Sequence, residues 1–399
     1  MRHPLFDAIV VGARCAGAPT AMLLARAGHR VLLLDRGTFP SDTLSTHLIH
    51  QPGVAALARW GLLDAVRATG CPPLDRVVYQ VADVRLEGSA RGVDGQRAAY
   101  APRRHVLDTL LVEAAAAEPN VEFRDHALVT GLLRDGTGRV VGVEGRHGEH
   151  AFTAHARLVI GADGMRSAVA RLAGAPYTRE DPRLTCAYYT YWQDVPATME
   201  LYEKADGWVA AVATNDDATL VLAYFPQARF EEVRVDARHA YLEQIRTTAP
   251  GLYERLDGDR RSERLRGTGD QQNFFRRATG PGWALVGDAG HHKDSITARG
   301  ISDAFLQVET LVRRVTGRLG GDPRRLDEAL DGYARERDQA LLPGYEATLG
   351  VARLTPHEQR LSLLRAVRTD PELTSIYFDM VAGIGSAGAL YTPKLLALL

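Results

Sequence analysis

Residues 7–36, DAIVVGARCAGAPTAMLLARAGHRVLLLDR, constrain the fold more tightly than any other stretch of the chain. The continuous apolar run at 8–11 ends at Gly12, which suits a strand buried on both faces of a parallel sheet. Beyond the turn, Ala18, Ala21, Met22 and Ala25 fall on one face of a helix, and Gly28 stands where a helix C-terminus takes a glycine. A second buried strand then ends in Asp35. Strand, helix and strand within about thirty residues, closed by a carboxylate, form a unit that binds a dinucleotide. Its glycines shape the turn and let the helix pack on the sheet, while the acidic side chain meets a ribose hydroxyl. The fingerprint G-x-G-x-x-G keeps its outer glycines, Gly12 and Gly17, but Arg14 takes the middle place. Two readings of Arg14 are open: its guanidinium covers a phosphate oxygen from outside, or it extends into solvent.

The rest of the composition removes competing classes. The chain has 399 residues, enough for two or three domain-sized units and a large buried cofactor. With 48 basic and 49 acidic residues there is no overall field to draw it to nucleic acid or anionic lipid. Cys15, Cys71 and Cys186 are too scattered for a disulfide framework or a metal site, and a reducing cytoplasm fits them best. No metal is expected. No apolar run is long enough for a secretory signal or a membrane span, so a protein without integral membrane association is expected. No nucleophile elbow, Walker A loop or zinc signature occurs, which argues against hydrolase, ATPase and deaminase chemistry.

The reading along the chain is of an α/β protein with a discontinuous Rossmann-like domain over 1–75, 101–175 and 286–340. Strands at 76–100 are inserted into it. Alternating, aromatic-rich runs such as LTCAYYTYWQDV and ATLVLAYF predict a mostly antiparallel substrate domain over 176–285. A helical region covers 341–399. Between 121 and 164, two glycine-containing turns mark a β-meander.

Three further stretches surround the dinucleotide unit. RHVLDTLL opens a helix with Arg104, where a cation and helix N–H groups can meet a diphosphate together. LVIGADGMRSAVAR is a buried strand, then Asp163 and Gly164, then a helix start carrying Ser167 and Arg171. WALVGDAGHHKDSITARGISDA is another strand ending in Gly287 and Asp288, followed by a loop and a helix beginning near Gly300. In order and spacing these motifs resemble the flavoprotein monooxygenase superfamily, the para-hydroxybenzoate-hydroxylase-like FAD proteins, over most of residues 5–315. The resemblance implies one FAD, with Gly12, Gly17 and Arg104 at the diphosphate, Asp35 beside Arg36 at the adenosine ribose, and Asp288 at the ribityl chain. It implies that Asp163 supports both FAD and a transient NADPH or NADH, and that the backbone at Gly300 and Ile301 faces the flavin pyrimidine edge. Ser295 stands where the family has proline, and Arg299 where a small or amide residue is common, which leaves the stiffness of that loop open.

The implied activity is an NAD(P)H-dependent monooxygenase acting through a flavin hydroperoxide on an aromatic or polyketide- or terpenoid-like small molecule. The cofactor carries the chemistry, so no acid-base constellation is required. His47, in a loop that runs along the flavin in relatives, is the one candidate catalytic side chain. His50, His291 and His292 are alternatives for hydrogen bonding, and Tyr188, Tyr189, Tyr191, Trp192 and Trp208 are candidates for a substrate platform. A halogenase is disfavoured, because no lysine precedes Lys204 and TYWQDVP replaces the W-x-W-x-I-P stretch. The rival readings are a geranylgeranyl-reductase-like enzyme, which PSDTLSTHLIH and GDAGHHKD also resemble, and a non-catalytic FAD-binding protein. Substrate identity and oligomeric state are not encoded in any motif.

Overall fold

Four of the apolar runs named above become neighbouring strands of one parallel sheet in the computed structural model, which describes residues 5–256 and 263–399. Their order is Trp283–Leu285, His150–Gly161, Leu5–Val11 and Val31–Leu34, with Val121–Arg124 at the edge. Val11 lies opposite both Leu34 and Gly161, and Leu285 lies opposite Gly161. Parallel strands in this register end together. The turns beginning at Gly12, Asp35, Ala162 and Val286 therefore leave the same edge of the sheet, the carboxyl edge, where open α/β sheets bind their ligands.

The helices Gly17–Arg26, Arg104–Ala116 and Gly300–Val315 cover one face, burying Met22, Leu107 and Phe305 against Ala8, Val10 and Ile160. The meander Ala127–Arg134, Val140–His147 and His150–Gly161 covers the other, against Ile9, Leu32 and Val159. Apolar side chains on both faces explain why these strands read as unbroken hydrophobic runs.

The aromatic-rich segment forms a seven-stranded sheet in the order 266–268, 185–193, 218–226, 207–213, 199–204, 77–81, 84–88. The strands inserted near residue 76 extend this sheet: Val77–Val81 pairs in parallel with Met199–Lys204. The period-2 alternation splits the aromatic side chains. Tyr188 and Trp192 pack with Tyr241 and Ile245 of the helix Ala237–Thr248. Tyr189, Tyr191, Trp208 and Tyr224 take the opposite face, which the helices Glu358–Val367 and Pro371–Ala382 cover. Two nearly inaccessible carboxylates fasten those helices to the sheet. Glu203 accepts from Arg360 Nη1 at 2.6 Å and from the Tyr79 hydroxyl at 2.5 Å, and Asp379 pairs with Arg91. Among the described residues, no helix is long and apolar enough to cross a membrane.

Candidate functional site

A cavity of about 520 Å3 opens along the carboxyl edge of the parallel sheet, within the size range of small-molecule sites. Gly12, Asp35, Arg104, Asp163 and Asp288 line one part of it, and Tyr189, Leu222 and Tyr224 of the second sheet line another. Gly12 has a φ of +99°, and any Cβ there would overlap the Ala162 carbonyl. A Cβ on Gly17 would overlap the carbonyl oxygen of Gly12. The two glycines thus close the turn itself, and the N-terminus of the helix after Gly17 opens on the cavity with its first N–H groups lacking intrahelical partners.

Arg14 lines the cavity and is held in place by protein partners instead of extending freely into solvent. It reaches Asp108 at 2.5 Å and the Ser41 hydroxyl at 2.9 Å, and its guanidinium lies 5.5 Å from the Phe39 ring centroid. Asp108 has no exposed surface and also accepts from Arg104 at 3.0 and 3.1 Å and from the Cys15 thiol at 3.2 Å. Two guanidinium groups sharing one buried carboxylate give the cavity wall here a net positive charge, suited to a diphosphate. Asp108 was missed in the sequence, although its position four residues after Arg104 on one helix is a pairing signal.

Asp35 stays at the cavity, where its oxygens accept from the N–H groups of Ala13 at 2.7 Å and Gly37 at 2.8 Å. Each oxygen keeps a lone pair for a ribose hydroxyl. Arg36 stands beside it on the cavity wall. Asp163 also lines the cavity, with both of its oxygens engaged. One oxygen accepts from the Ser167 hydroxyl at 2.5 Å and the other from the N–H groups of Ala168 and Val169, so its main work is to cap the helix Ala168–Ala173. Asp288 faces the cavity with no protein hydrogen bond to its carboxylate among the described residues, which leaves it free for a ligand hydroxyl.

The loop from His291 to Arg299 is held by side chains in place of proline. Ser295 donates to Gln271 Oε1 at 2.5 Å and meets the Tyr224 hydroxyl at 2.9 Å; its backbone N–H also reaches Gln271. Asp294 accepts from Thr185 and from the Ile296 N–H. These bonds supply the stiffness that the missing proline left open. Gly300 and Ile301 begin a helix whose N-terminus lines the cavity, and nothing lies within 4 Å of where a Gly300 Cβ would stand. Arg299 turns away from the cavity, into the space left by Gly344 and Gly383. Lys293 and Asp303, neither of them singled out in the sequence, form a buried ion pair in the cavity wall.

The histidines do not form an acid-base group. His47 is fully buried and outside the cavity lining, with a left-handed φ of 61°, and its Nε2 meets the Tyr191 hydroxyl at 2.6 Å. Burial, aided by the Arg104 charge, pushes its pKa down to about 3, so it is neutral near pH 7. This position does not support the catalytic role expected of it. His50 contacts the Thr297 carbonyl, and burial holds it at about 4. His291 does line the cavity, packed on Phe275, and burial keeps it neutral as well. Its Nε2 is buried without a hydrogen-bond partner among the described residues. The orphaned His291 nitrogen, the Asp288 carboxylate with no protein hydrogen bond and a helix N-terminus form a donor and acceptor set that fits a dinucleotide with a polar ring.

Comparison with known proteins agrees with this geometry. A family model described as an FAD binding domain matches residues 6–341, and the chain belongs to this family of FAD-dependent flavoprotein monooxygenases and their relatives. It is an FAD-binding oxidoreductase. The 6-methylpretetramide 4-monooxygenase of Streptomyces rimosus is 28% identical over 312 residues, which span 75% of this chain and 72% of that protein. Digeranylgeranylglycerophospholipid reductase 1 of Methanopyrus kandleri is 28% identical over 344 residues, 79% of this chain and 80% of that one. The solved structure of the flavin-dependent brominase Bmp2 covers 98% of this chain and 97% of its own with a TM-score of 0.82. At 16% identity that likeness is one of fold.

Proposed function

We propose that the protein is an NAD(P)H-dependent monooxygenase of a polycyclic aromatic or polyketide-like small molecule. The observation that carries this reading is the composition of the cavity at the carboxyl edge, walled on one side by the dinucleotide turn and on the other by Tyr189, Leu222 and Tyr224. In this reading Arg104 and the N–H groups after Gly12 hold the diphosphate, Asp35 and Arg36 take the adenosine ribose, Asp288 takes the ribityl hydroxyls, and the Gly300–Ile301 backbone meets the pyrimidine edge. FAD, when bound, supplies the two-electron redox chemistry and the activation of dioxygen. The protein orients the substrate and keeps water out. The aromatic wall offers stacking area to a substrate ring.

The relative from Streptomyces rimosus, which by its name is a monooxygenase, supports this choice across most of both chains. The reductase from Methanopyrus kandleri aligns over a similar length and favours a second reading, reduction of an unsaturated lipid-like substrate. Oxygen separates them. FAD-loaded protein, NADPH or NADH and a panel of polycyclic phenols are expected to give a product heavier by one oxygen atom under air and none anaerobically. Anaerobic turnover that adds two hydrogens to an isoprenoid double bond would reject the monooxygenase in favour of the reductase.

A further inference from the structure

Lys293 is one of only three lysines in the chain, and its side chain is 4% exposed. Its ammonium pairs with Asp303 in the first turn of the helix Gly300–Val315, and both residues line the cavity beside Gly300 and Ile301. Arg299 lies 3.8 Å from the other oxygen of Asp303. Burial pushes the Asp303 carboxyl up, but the charges of Lys293 and Arg299 outweigh burial and hold it below the usual range, so it is ionised. The neighbouring His50 and His291 are neutral, Arg337 is paired with Asp338, and the Asp294 carboxylate is directed to Thr185 and the Ile296 N–H, with no ion pair to Lys293 or Arg299 among the described residues. Two cations therefore stand against one carboxylate at the helix N-terminus. A buried excess of one positive charge is costly unless an anion comes to meet it.

We propose that Lys293, with Asp303 as its counter-charge, is a redox-tuning residue that supplies the positive charge stabilising reduced FAD. This rests on the isoalloxazine lying at the Gly300 end of the cavity. Reduction adds two electrons and one proton to the ring, delivered as a hydride by a nicotinamide or by a chemical reductant, and leaves one net negative charge. The helix N-terminus contributes a fractional positive charge there. The Lys293 cluster adds a full one, shielded from solvent and preorganised before the electrons arrive. The paired carboxylate also sets the size of the effect, because it cancels one of the two cations.

The test is the midpoint potential of protein-bound FAD, measured by equilibration with a reference dye, in wild type, K293M, D303N and the double variant. K293M leaves no net charge and is expected to weaken the preference for reduced over oxidised FAD by about tenfold or more, a fall of about 30 mV for a two-electron couple. D303N leaves two cations and is expected to raise the potential by a similar amount. The double variant restores the sum and is expected to return near wild type. Opposite shifts from two halves of one ion pair are not produced by loss of a merely structural contact. Unchanged potentials, or shifts of the same sign, would overturn the proposal. If K293M fails to hold FAD, D303N decides alone, and an unchanged or lowered potential overturns it. If neither single variant holds FAD, the double variant is expected to, and an apo double variant overturns it. Wild-type protein that takes up no FAD would instead strike the placement of the ring, a failure separate from that of Lys293.

Discussion

Asp163 and Asp288 follow the ends of adjacent parallel strands in near-identical local sequences, GADG and GDAG, yet they do different work. Asp163 precedes a helix by five residues, so its oxygens find the N–H groups of Ala168 and Val169. Asp288 lies in a short 3-10 turn followed by the strand His291–His292, so no helix start is within its reach. Asp163→Ala is expected to destabilise the protein by about 1 kcal/mol through loss of the cap, with FAD affinity little changed. Asp288→Ala is expected to leave the unfolding midpoint in place and to weaken FAD binding by about tenfold or more. Urea unfolding and FAD titration on both variants check the pair, and the reverse pattern would exchange their roles. The same contrast applies to Arg14, which the motif alone places near phosphate or in solvent. Asp108, 94 residues away, decides that it forms an ion pair with a buried carboxylate.

At the scale of elements, the loop before the helix Gly300–Val315 shows how a departure from family pattern is compensated. Ser295 replaces a stiff residue, and Tyr224 and Thr185 of the second sheet, with Gln271 of the loop after its strand 266–268, restore the constraint through hydrogen bonds. Asp294 anchors this network at 1% exposure, and burial pushes its carboxyl from 3.8 to about 6. Between those values the folded protein binds more protons than the unfolded chain, so stability falls as pH rises from about 4 to about 6, and the cost is complete above that. Asn at this position keeps an acceptor for the Ile296 N–H without the buried charge. Asp294→Asn is therefore expected to gain stability over wild type across that window and to hold the gain at higher pH. Urea unfolding at pH 4, 5, 6 and 8 checks this, and a difference independent of pH would contradict it.

At the scale of the whole molecule, the candidate cavity lies between the parallel sheet and the second, aromatic-rich sheet, and the C-terminal helices cover the latter. The C-terminal helices bury Leu364, Val367, Tyr377 and Phe378 against the face that carries Tyr189 and Tyr224. Arg360 is the connection whose loss is most readily measured. Its removal leaves Glu203, 1% exposed, with only the Tyr79 hydroxyl. Arg360→Met is expected to cost about 3 kcal/mol, the usual size for stranding a buried charge. Pairing it with Glu203→Gln should recover much of that loss. A double-mutant cycle by urea denaturation checks the coupling, and additive losses would show that the pair acts independently.

Local pattern determined the dinucleotide unit, the meander, the second sheet and the helix starts at Arg104 and Gly300, because each rests on periodicity or turn chemistry within a few residues. Gly12, Gly17, Asp35, Arg104 and Asp288 were legible for the same reason: a strand end and its turn fix where such residues point. Long-range pairing was not legible. The bonds that direct Arg14 to Asp108, Ser295 to Gln271, Arg360 to Glu203 and the Val77–Val81 hairpin to the second sheet join residues 24 to 157 positions apart or strands from separate segments. Which face of the second sheet turns its tyrosines to the cavity also waited on the tertiary structure, since alternation gives two equivalent faces and only packing chooses between them. The sequence alone marked where a cofactor would lie. The charge around it, one cation in excess among the ion-paired Lys293, Arg299 and Asp303, exists only once the chain has folded and brought these groups together with Lys293 and Asp303 buried.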